Sequence, residues 1–146
     1  MNDIRTIFSE ENKVVIESAI REAEFNSSGE IRLHVENRCR IDVLDQAAYI
    51  FKKLEMHKTE LRNGVLFYLA IKDRKFAILG DAGINAKVQD DFWDDIKDLV
   101  QKQFKDGKFV EGLEDGIRMA GEQLKHHFPH TSDDQNELND EISFGS

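Results

Sequence analysis

The hydrophobic positions in the first third of the chain predict a helix, a strand and a second helix. Ser9 is a typical helix N-cap, and apolar residues then recur at helical spacing through Ala23. From Glu30 the pattern changes to strict alternation, which predicts a half-buried strand with one apolar and one polar face. The apolar face consists of Ile31, Leu33 and Val35. Asp42 then predicts the cap of a second amphipathic helix.

The middle of the chain predicts a β-hairpin. Asn63-Gly64 introduces a continuous apolar run over residues 65–71, which is typical of a central strand buried on both faces. The polar break at 72–74 and the following run at 75–79 predict a returning antiparallel strand. Residues 80–83 contain two glycines and are predicted to form a loop.

Two further helices and a tail are predicted for the rest of the chain. Asp90 can cap the first helix, and Asp106-Gly107 ends it. The second helix carries Gly112 and Gly116 one turn apart, which predicts close packing because glycine lowers helix propensity. From residue 127 the apolar pattern dissolves into polar and acidic residues. The chain is therefore predicted to be a domain of residues 1–126 followed by a flexible acidic tail, 127–146.

This order of elements predicts the fold and brings three strand ends together. Two strands that are joined through a helix are expected to be parallel, and the hairpin makes the third antiparallel to the second. The predicted fold is an α/β/α sandwich with a small mixed sheet, including one β-hairpin, and helices on both faces. The starts of the first two strands and the end of the third should then lie at the same edge of the sheet.

That edge is predicted to be acidic and to hold a metal ion. The carboxylates expected there are Glu30, Asp81, Asp90, Asp91 and Asp94. Crowded carboxylates repel each other unless a cation neutralises them, and calcium takes six to eight oxygen ligands. The two glycines of residues 80–83 would let backbone carbonyls turn toward such an ion. The alternative is that the aspartates of the third helix form a solvated face that complements the helix dipole.

Composition narrows the classes of partner and compartment. A chain of 146 residues with a formal net charge of −9 is expected to repel nucleic acid and anionic membranes, and we expect a monomer. Cys39 is the single cysteine, so no intramolecular disulfide can form. The first eight residues lack an apolar signal-peptide core, and the longest apolar run is too short to span a bilayer. These features predict a cytoplasmic protein without membrane insertion.

Several motifs together resemble the TPM domain family. Ser28-Gly29-Glu30-Ile31 is similar to the family's opening strand, and residues 63–66 with Asp73-Arg74 resemble its "NGVLL…DR" hairpin. Residues 80–84 resemble its "G-x-G-L-E" segment, with Asp90 at the position of the Asp in the following "L-P-D". Residues 104–107 with Gly112 resemble "F-x-x-G…G". The resemblance covers residues 9–124. Asn85 and Gln89 depart from the family pattern, which has Glu and Pro at these positions.

The resemblance implies a groove at the acidic end of the sheet with divalent-metal binding, usually calcium. Glu30, Asp81 and Asp90 match family positions, whereas Asp91 and Asp94 are assigned from geometry alone. The departure at Asn85 removes one expected ligand. Acid phosphatase activity is attributed to some members of the family.

Two functions follow from these observations. The first is a calcium-binding TPM-like domain that acts as an accessory module and docks an unidentified protein partner. The alternative is a metal-dependent acid phosphatase acting on phosphomonoesters. The phosphatase ranks second because phosphoryl transfer needs positive charge. The predicted site is negative, and no residue is assigned as catalytic. Activity as an enzyme is therefore left open.

Overall fold

The computed structural model describes residues 4–59, 61–89, 91–129 and 142–145. The helices are α1 (Ile4–Ile7), α2 (Glu10–Asn26), α3 (Val43–Lys53), α4 (Ala82–Asn85), α5 (Asp94–Lys105) and α6 (Phe109–His127), with a short 3-10 helix at Met56–Lys58. The strands are β1 (Glu30–Glu36), β2 (Gly64–Ala70), β3 (Lys75–Gly80) and β4 (Ser143–Phe144).

Side-chain caps fix the starts of two helices where the sequence predicts them. The Ser9 hydroxyl accepts a hydrogen bond from the Asn12 N–H at the start of α2. The Asp42 carboxylate accepts from two backbone N–H groups of α3. The start of α5 differs from the prediction, because it begins at Asp94 after a turn in which the rings of Phe92 and Trp93 pack edge to face. Asp90, its predicted cap, lies outside the described residues.

The sheet has the order β3-β2-β1-β4. β1 and β2 are parallel with Glu30 opposite Gly64, and β2 and β3 form the antiparallel hairpin with Val65 opposite Gly80. β2 is buried along its whole length. The predicted mixed sheet with one hairpin is therefore confirmed.

Helices cover both faces of the sheet, which confirms the predicted α/β/α sandwich. On one face, α2, α5 and α6 pack on the apolar side chains of β1 and on alternate residues of β2 in one large core. On the other face, α3 and Met56 pack on Leu66, Tyr68 and Ala77 in a smaller core. A parallel pair needs this two-sided cover because its central strand is apolar on both faces.

Glycines let α6 approach its neighbours closely. A Cβ at Gly116 would lie 2.5 Å from Val100 of α5, so the close packing predicted for this glycine is confirmed, as it is for Gly112 against Phe104. A third glycine, Gly121, faces α2, where an added Cβ would lie 2.6 Å from the Ala23 Cβ and 3.0 Å from its Cα. The Cβ and Cα of Ala23 cannot move out of the way by a rotamer change, as the end of a long side chain can. Gly121 is therefore required for the short distance between α2 and α6.

Two parts of the expected flexible tail pack on the domain. Phe128 is buried, and Ser27 forms an isolated antiparallel bridge with Pro129. Ile142 is buried in the large core, and β4 pairs in parallel with His34 and Val35 of β1. The expectation of a flexible tail is wrong for residues 127–129 and 142–145, because two widely spaced buried side chains, Phe128 and Ile142, anchor a segment whose pattern has no period. The division into a domain of residues 1–126 and a tail is otherwise still a prediction, and residues 130–141 and 146 lie outside the described ranges.

We predict that Ile142→Ala lowers the free energy of unfolding by about 1–2 kcal/mol. This is at or below the low end of the cost of truncating a buried isoleucine, because a terminal segment can relax around the gap. Urea denaturation of the full chain measures the change. Val14→Ala, at an exposed position of α2, is the control and should change little. Equal effects of the two substitutions would show that the segment contributes no stability.

We also predict that Gly121→Ala destabilises the protein by about 1–3 kcal/mol, the usual cost of overpacking, although alanine favours a helix by about 1 kcal/mol. In the background of Ala23→Gly the same substitution should cost less, because the opposing Cβ is gone and only the 3.0 Å contact with the Cα of residue 23 remains. A double-mutant cycle by chemical denaturation measures this coupling. Additive effects would contradict a direct contact between these positions.

Candidate functional sites at the two ends of the sheet

The structure brings the predicted strand ends together at the amino end of β1. Glu30 lies opposite Gly64, and the next residue of β2 lies opposite Gly80 of β3. Glu30, Asn63 and Asp81 therefore occupy neighbouring strand ends. A Cβ at Gly80 would lie 3.4 Å from the Trp93 ring, so the turn before α5 lies at the same end of the sheet. The predicted convergence of the three strand ends is therefore confirmed.

Asp81 has a cationic partner that the sequence analysis missed. The Asp81 side chain is buried, with 6% of the residue exposed. Its two oxygens accept hydrogen bonds from Arg62 Nε at 2.8 Å and Nη2 at 2.9 Å, and Oδ1 also accepts from the Ala82 N–H at 2.7 Å. The carboxylate thus caps α4 and forms a two-pronged ion pair, so its charge is neutralised within the chain. The position of Arg62, directly before Asn63-Gly64, is the sequence signal that could have placed it at this edge.

The glycine segment does not turn its carbonyls outward as predicted. The loop predicted for residues 80–83 is wrong, because Gly80 ends β3 and Ala82 and Gly83 begin α4. A Cβ at Gly83 would overlap the Leu61 carbonyl oxygen. The Gly83 N–H donates to the Arg62 carbonyl, and the Gly80 carbonyl accepts from the Asn85 amide. Arg62 is held in the left-handed region at φ 51°. The prediction fails because Gly83 allows the close approach of the segment before β2, and because the Gly80 carbonyl is already hydrogen-bonded to Asn85.

The remaining predicted ligands differ in burial. Glu30 is 3% exposed, whereas Asp91 and Asp94 are exposed and Asp90 lies outside the described residues. Beside Glu30, Asn63 is 1% exposed; its amide nitrogen donates to the Ser28 carbonyl, but no donor among the described residues reaches its Oδ1. Within the described part of the chain, no three His, Cys, Asp or Glu residues are grouped closely enough to hold a metal ion.

A cleft of about 640 Å³ opens at the opposite end of the sheet, where β1 finishes. It forms because α3 packs mainly against β3 and β2, which leaves the polar face of β1 open near its carboxyl end. Its walls come from β1, the segment 37–41, α3 and β4. The sequence analysis did not predict this cleft, since the offset of α3 is decided by side-chain packing.

A hydrogen-bond network of buried polar residues lies at the base of the cleft. His34 and Glu36 are only 5% and 8% exposed, so β1 is more buried than the predicted half-buried strand. The Glu36 carboxylate interacts with His34 Nε2 at 3.1 Å and accepts from the Tyr68 hydroxyl at 2.6 Å and from the Gln46 amide. His34 Nδ1 lies 2.9 Å from the Ser143 hydroxyl of β4. Because a carboxylate only accepts, neutral His34 donates from Nε2 and accepts from Ser143. The network therefore ties β4 to β1.

Comparison with known proteins assigns the family. The TPM domain matches residues 1–123. The chain belongs to the TPM domain family. The resemblance inferred from the sequence motifs is therefore confirmed.

Solved structures of similar proteins share this TPM fold. The NMR structure of BA42 protein from the psychrophilic bacterium Bizionia argentinensis is 48% identical, with a TM-score of 0.92 over 99% of this chain and 100% of that chain. The N-terminal domain of a P. gingivalis protein is 19% identical, with a TM-score of 0.68 over 86% of this chain and 82% of that chain. The N-terminal domain of cg2496 protein from Corynebacterium glutamicum is 12% identical, with a TM-score of 0.68 over 92% and 86%. The last two likenesses concern the fold alone.

Comparison with curated proteins gave no match. In the parts of this TPM domain that the structure describes, no helix has both the length and the apolar character needed to cross a bilayer.

Burial shifts the pKa of two groups of the network, His34 and Tyr68. Burial lowers the pKa of His34 below its ordinary value of 6.5, and the hydrogen bond to Glu36 opposes this only in part. Lys53 and Arg32 lower it further. Burial and the bond to Glu36 also raise the pKa of Tyr68, which keeps its hydroxyl a donor.

We predict that His34 makes the domain less stable in mild acid. Below pH 6.5 the unfolded chain binds a proton at His34 before the folded chain does, so stability present above pH 6.5 is lost as the pH falls toward the folded pKa. One proton gives a slope of at most about 1.4 kcal/mol per pH unit. His34→Gln should flatten the fall in unfolding free energy between about pH 7 and 5, measured by urea denaturation. Parallel curves for the parent and the variant would contradict this assignment.

Proposed function

We propose that this TPM domain binds calcium at the amino end of β1 and, when loaded, docks another protein as an accessory module. The observation that carries the proposal is the Asn63 Oδ1 atom. It is a buried acceptor without a donor among the described residues, and it lies at the strand end beside buried Glu30. A buried polar atom without a partner costs about 1–3 kcal/mol, and a hard cation satisfies such an oxygen as well as a carboxylate.

The donor chemistry at this end fits calcium. Glu30 and Asp81 would supply carboxylate oxygens and Asn63 an amide oxygen, which are ligand types that calcium prefers. Asp91 and Asp94 lie on the adjoining turn and helix start and would contribute as exposed carboxylates. Asp90 is included from the order of elements in the sequence and from the family resemblance. The ion would neutralise the acidic end of the sheet when bound.

Arg62 acts against calcium in this proposal. Its guanidinium already holds both Asp81 oxygens, so Asp81 can ligate a metal only after that pair opens. The Arg62 side chain is half exposed, whereas that of Asp81 is buried. Arg62 can therefore move into solvent while Asp81 stays in place. Calcium and Arg62 would compete for one carboxylate.

The alternative, a metal-dependent acid phosphatase acting on phosphomonoesters, is still a hypothesis. A phosphatase needs positive charge directed at the transferring phosphoryl oxygens. At the amino end, the Arg62 guanidinium is committed to Asp81. Arg74, another cation of the hairpin, lies in the β2–β3 turn at the opposite end from this site.

We predict that calcium raises the unfolding midpoint, and that free calcium at 100 times the dissociation constant stabilises the domain by about 2.7 kcal/mol. Asp81→Asn should weaken binding. Arg62→Gln should tighten it about fivefold, because it removes about 1 kcal/mol of repulsion between the ion and a nearby guanidinium. Calorimetric titration gives the affinities, and two-dimensional NMR locates the bound ion.

The matched control is Asp98→Asn, which removes one exposed carboxylate from α5 one turn beyond Asp94. It should leave calcium affinity unchanged. Loss of binding in this variant equal to that in Asp81→Asn would indicate general attraction to an acidic surface. If millimolar calcium moves neither the midpoint nor the resonances of Glu30 and Asn63, the proposed site is wrong.

A further inference from the structure

We propose that the cleft at the carboxyl end of β1 binds a small organic anion, one that carries a phosphate or carboxylate group together with a hydroxyl or amine donor. The cleft lies at the end of β1 opposite the proposed calcium site, and the two proposals are independent.

The charge of the cleft is opposite to that of the chain. The whole chain has a formal net charge of −9, yet among the described residues four cationic side chains and one carboxylate, that of Glu36, line this cleft. The four cations are Arg38, Arg40, Lys53 and Lys72. A concave surface lined by one sign of charge attracts ions of the other sign.

Two of these cations are available to a ligand. Arg38 is partly committed, because it donates to Asp73 at 3.0 Å, and the Lys53 ammonium lies over the Tyr49 ring. Arg40 and Lys72 are exposed and make no ion pair with the residues that the structure describes. A bound anion would give both a partner.

Glu36 does not cancel this attraction. Its carboxylate is buried at the base of the cleft and receives hydrogen bonds from Tyr68 and Gln46 and from the His34 ring. Donors on several sides stabilise the charge in place. The carboxylate therefore orders the base of the cleft, and the exposed cations define the mouth that an anion meets first.

The place of the cleft in the fold also suits a ligand. In open α/β sheets, ligands bind outside the carboxyl ends of strands, where neighbouring strands are connected across opposite faces. The chain leaves β1 for β2 through α3 on one face, and it reaches β4, the other neighbour of β1, after α6 on the opposite face. A volume of about 640 Å³ is within the range of small-molecule sites.

One orphan acceptor indicates more than a bare ion. The Oδ1 atom of Asn37 is buried in the cleft lining and has no hydrogen-bond donor among the described residues. An inorganic anion offers few donors, whereas a hydroxyl or amine of an organic ligand could donate to this oxygen. Ile41 and Leu54 add apolar surface for a carbon skeleton.

The test is a two-dimensional NMR titration of the full chain, in buffer stripped of divalent cations so that the result does not depend on calcium. The probes are glycerol 2-phosphate, malate, inorganic phosphate and glycerol. We expect saturable shifts of the 37–41 and 143–145 amides with glycerol 2-phosphate or malate, and whichever binds more tightly identifies the anionic group. Inorganic phosphate should bind more weakly, and glycerol should not bind.

The decisive variant is the double substitution Arg40→Gln with Lys72→Gln. It should weaken binding at least tenfold, because a hydrogen bond to a charged group typically contributes a factor of that size. Both side chains are exposed, so the unfolding midpoint without ligand should not change. The control, Lys102→Gln with Lys105→Gln, removes two exposed charges from α5 on the other face of the sheet and should keep the parent affinity.

Three results would overturn the proposal. One is the absence of saturable shifts in the cleft with either organic anion at millimolar concentration. The second is equal loss of affinity in both double variants, which would show general charge attraction. The third is binding of glycerol as tight as that of the anions, which would show that charge is not recognised.

Discussion

The structure depends on the burial of β2 on both faces. All seven residues of this strand are buried, and a strand that is apolar on both sides must have helices on both sides. Burying each large side chain contributes about 1.5–3 kcal/mol, so β2 is the centre of both hydrophobic cores. The other elements are placed so that they cover this strand. On one face of the sheet, α2, α5 and α6 pack on β2 and on the apolar side chains of β1, and α3 covers the other face.

The offset of α3 creates the cleft. Because α3 packs mainly against β3 and β2, it only borders the polar side chains of β1 near the carboxyl end of that strand. His34 and Glu36 are buried by β4, by Tyr68 and by Gln46. Burial of polar groups is costly unless they are hydrogen-bonded, and the network satisfies them. The same geometry leaves four cations around an open volume.

At the amino end of the sheet, residues that the sequence suggests as metal ligands also have structural roles. Asp81 has two structural roles: its carboxylate caps α4, and it forms an ion pair with Arg62. Gly83, two residues later, allows the segment before β2 to approach α4 closely. Structural roles of this kind do not exclude a ligand, but they set the competition that a cation must overcome.

The sequence by itself determined the four longer helices, strands β1 to β3, the α/β/α layers and the convergence of three strand ends, because periodicity and connection lengths are local properties of the chain. It also carried enough motif information to indicate the TPM family. Only the tertiary structure decided that Arg62 reaches Asp81, that Ile142 returns to the core, and that α3 leaves β1 partly uncovered. These outcomes depend on side-chain volumes and contacts between residues far apart in the chain, which no local pattern encodes. Thus the amino end of the sheet was foreseen from the sequence, and the cleft at the carboxyl end was not.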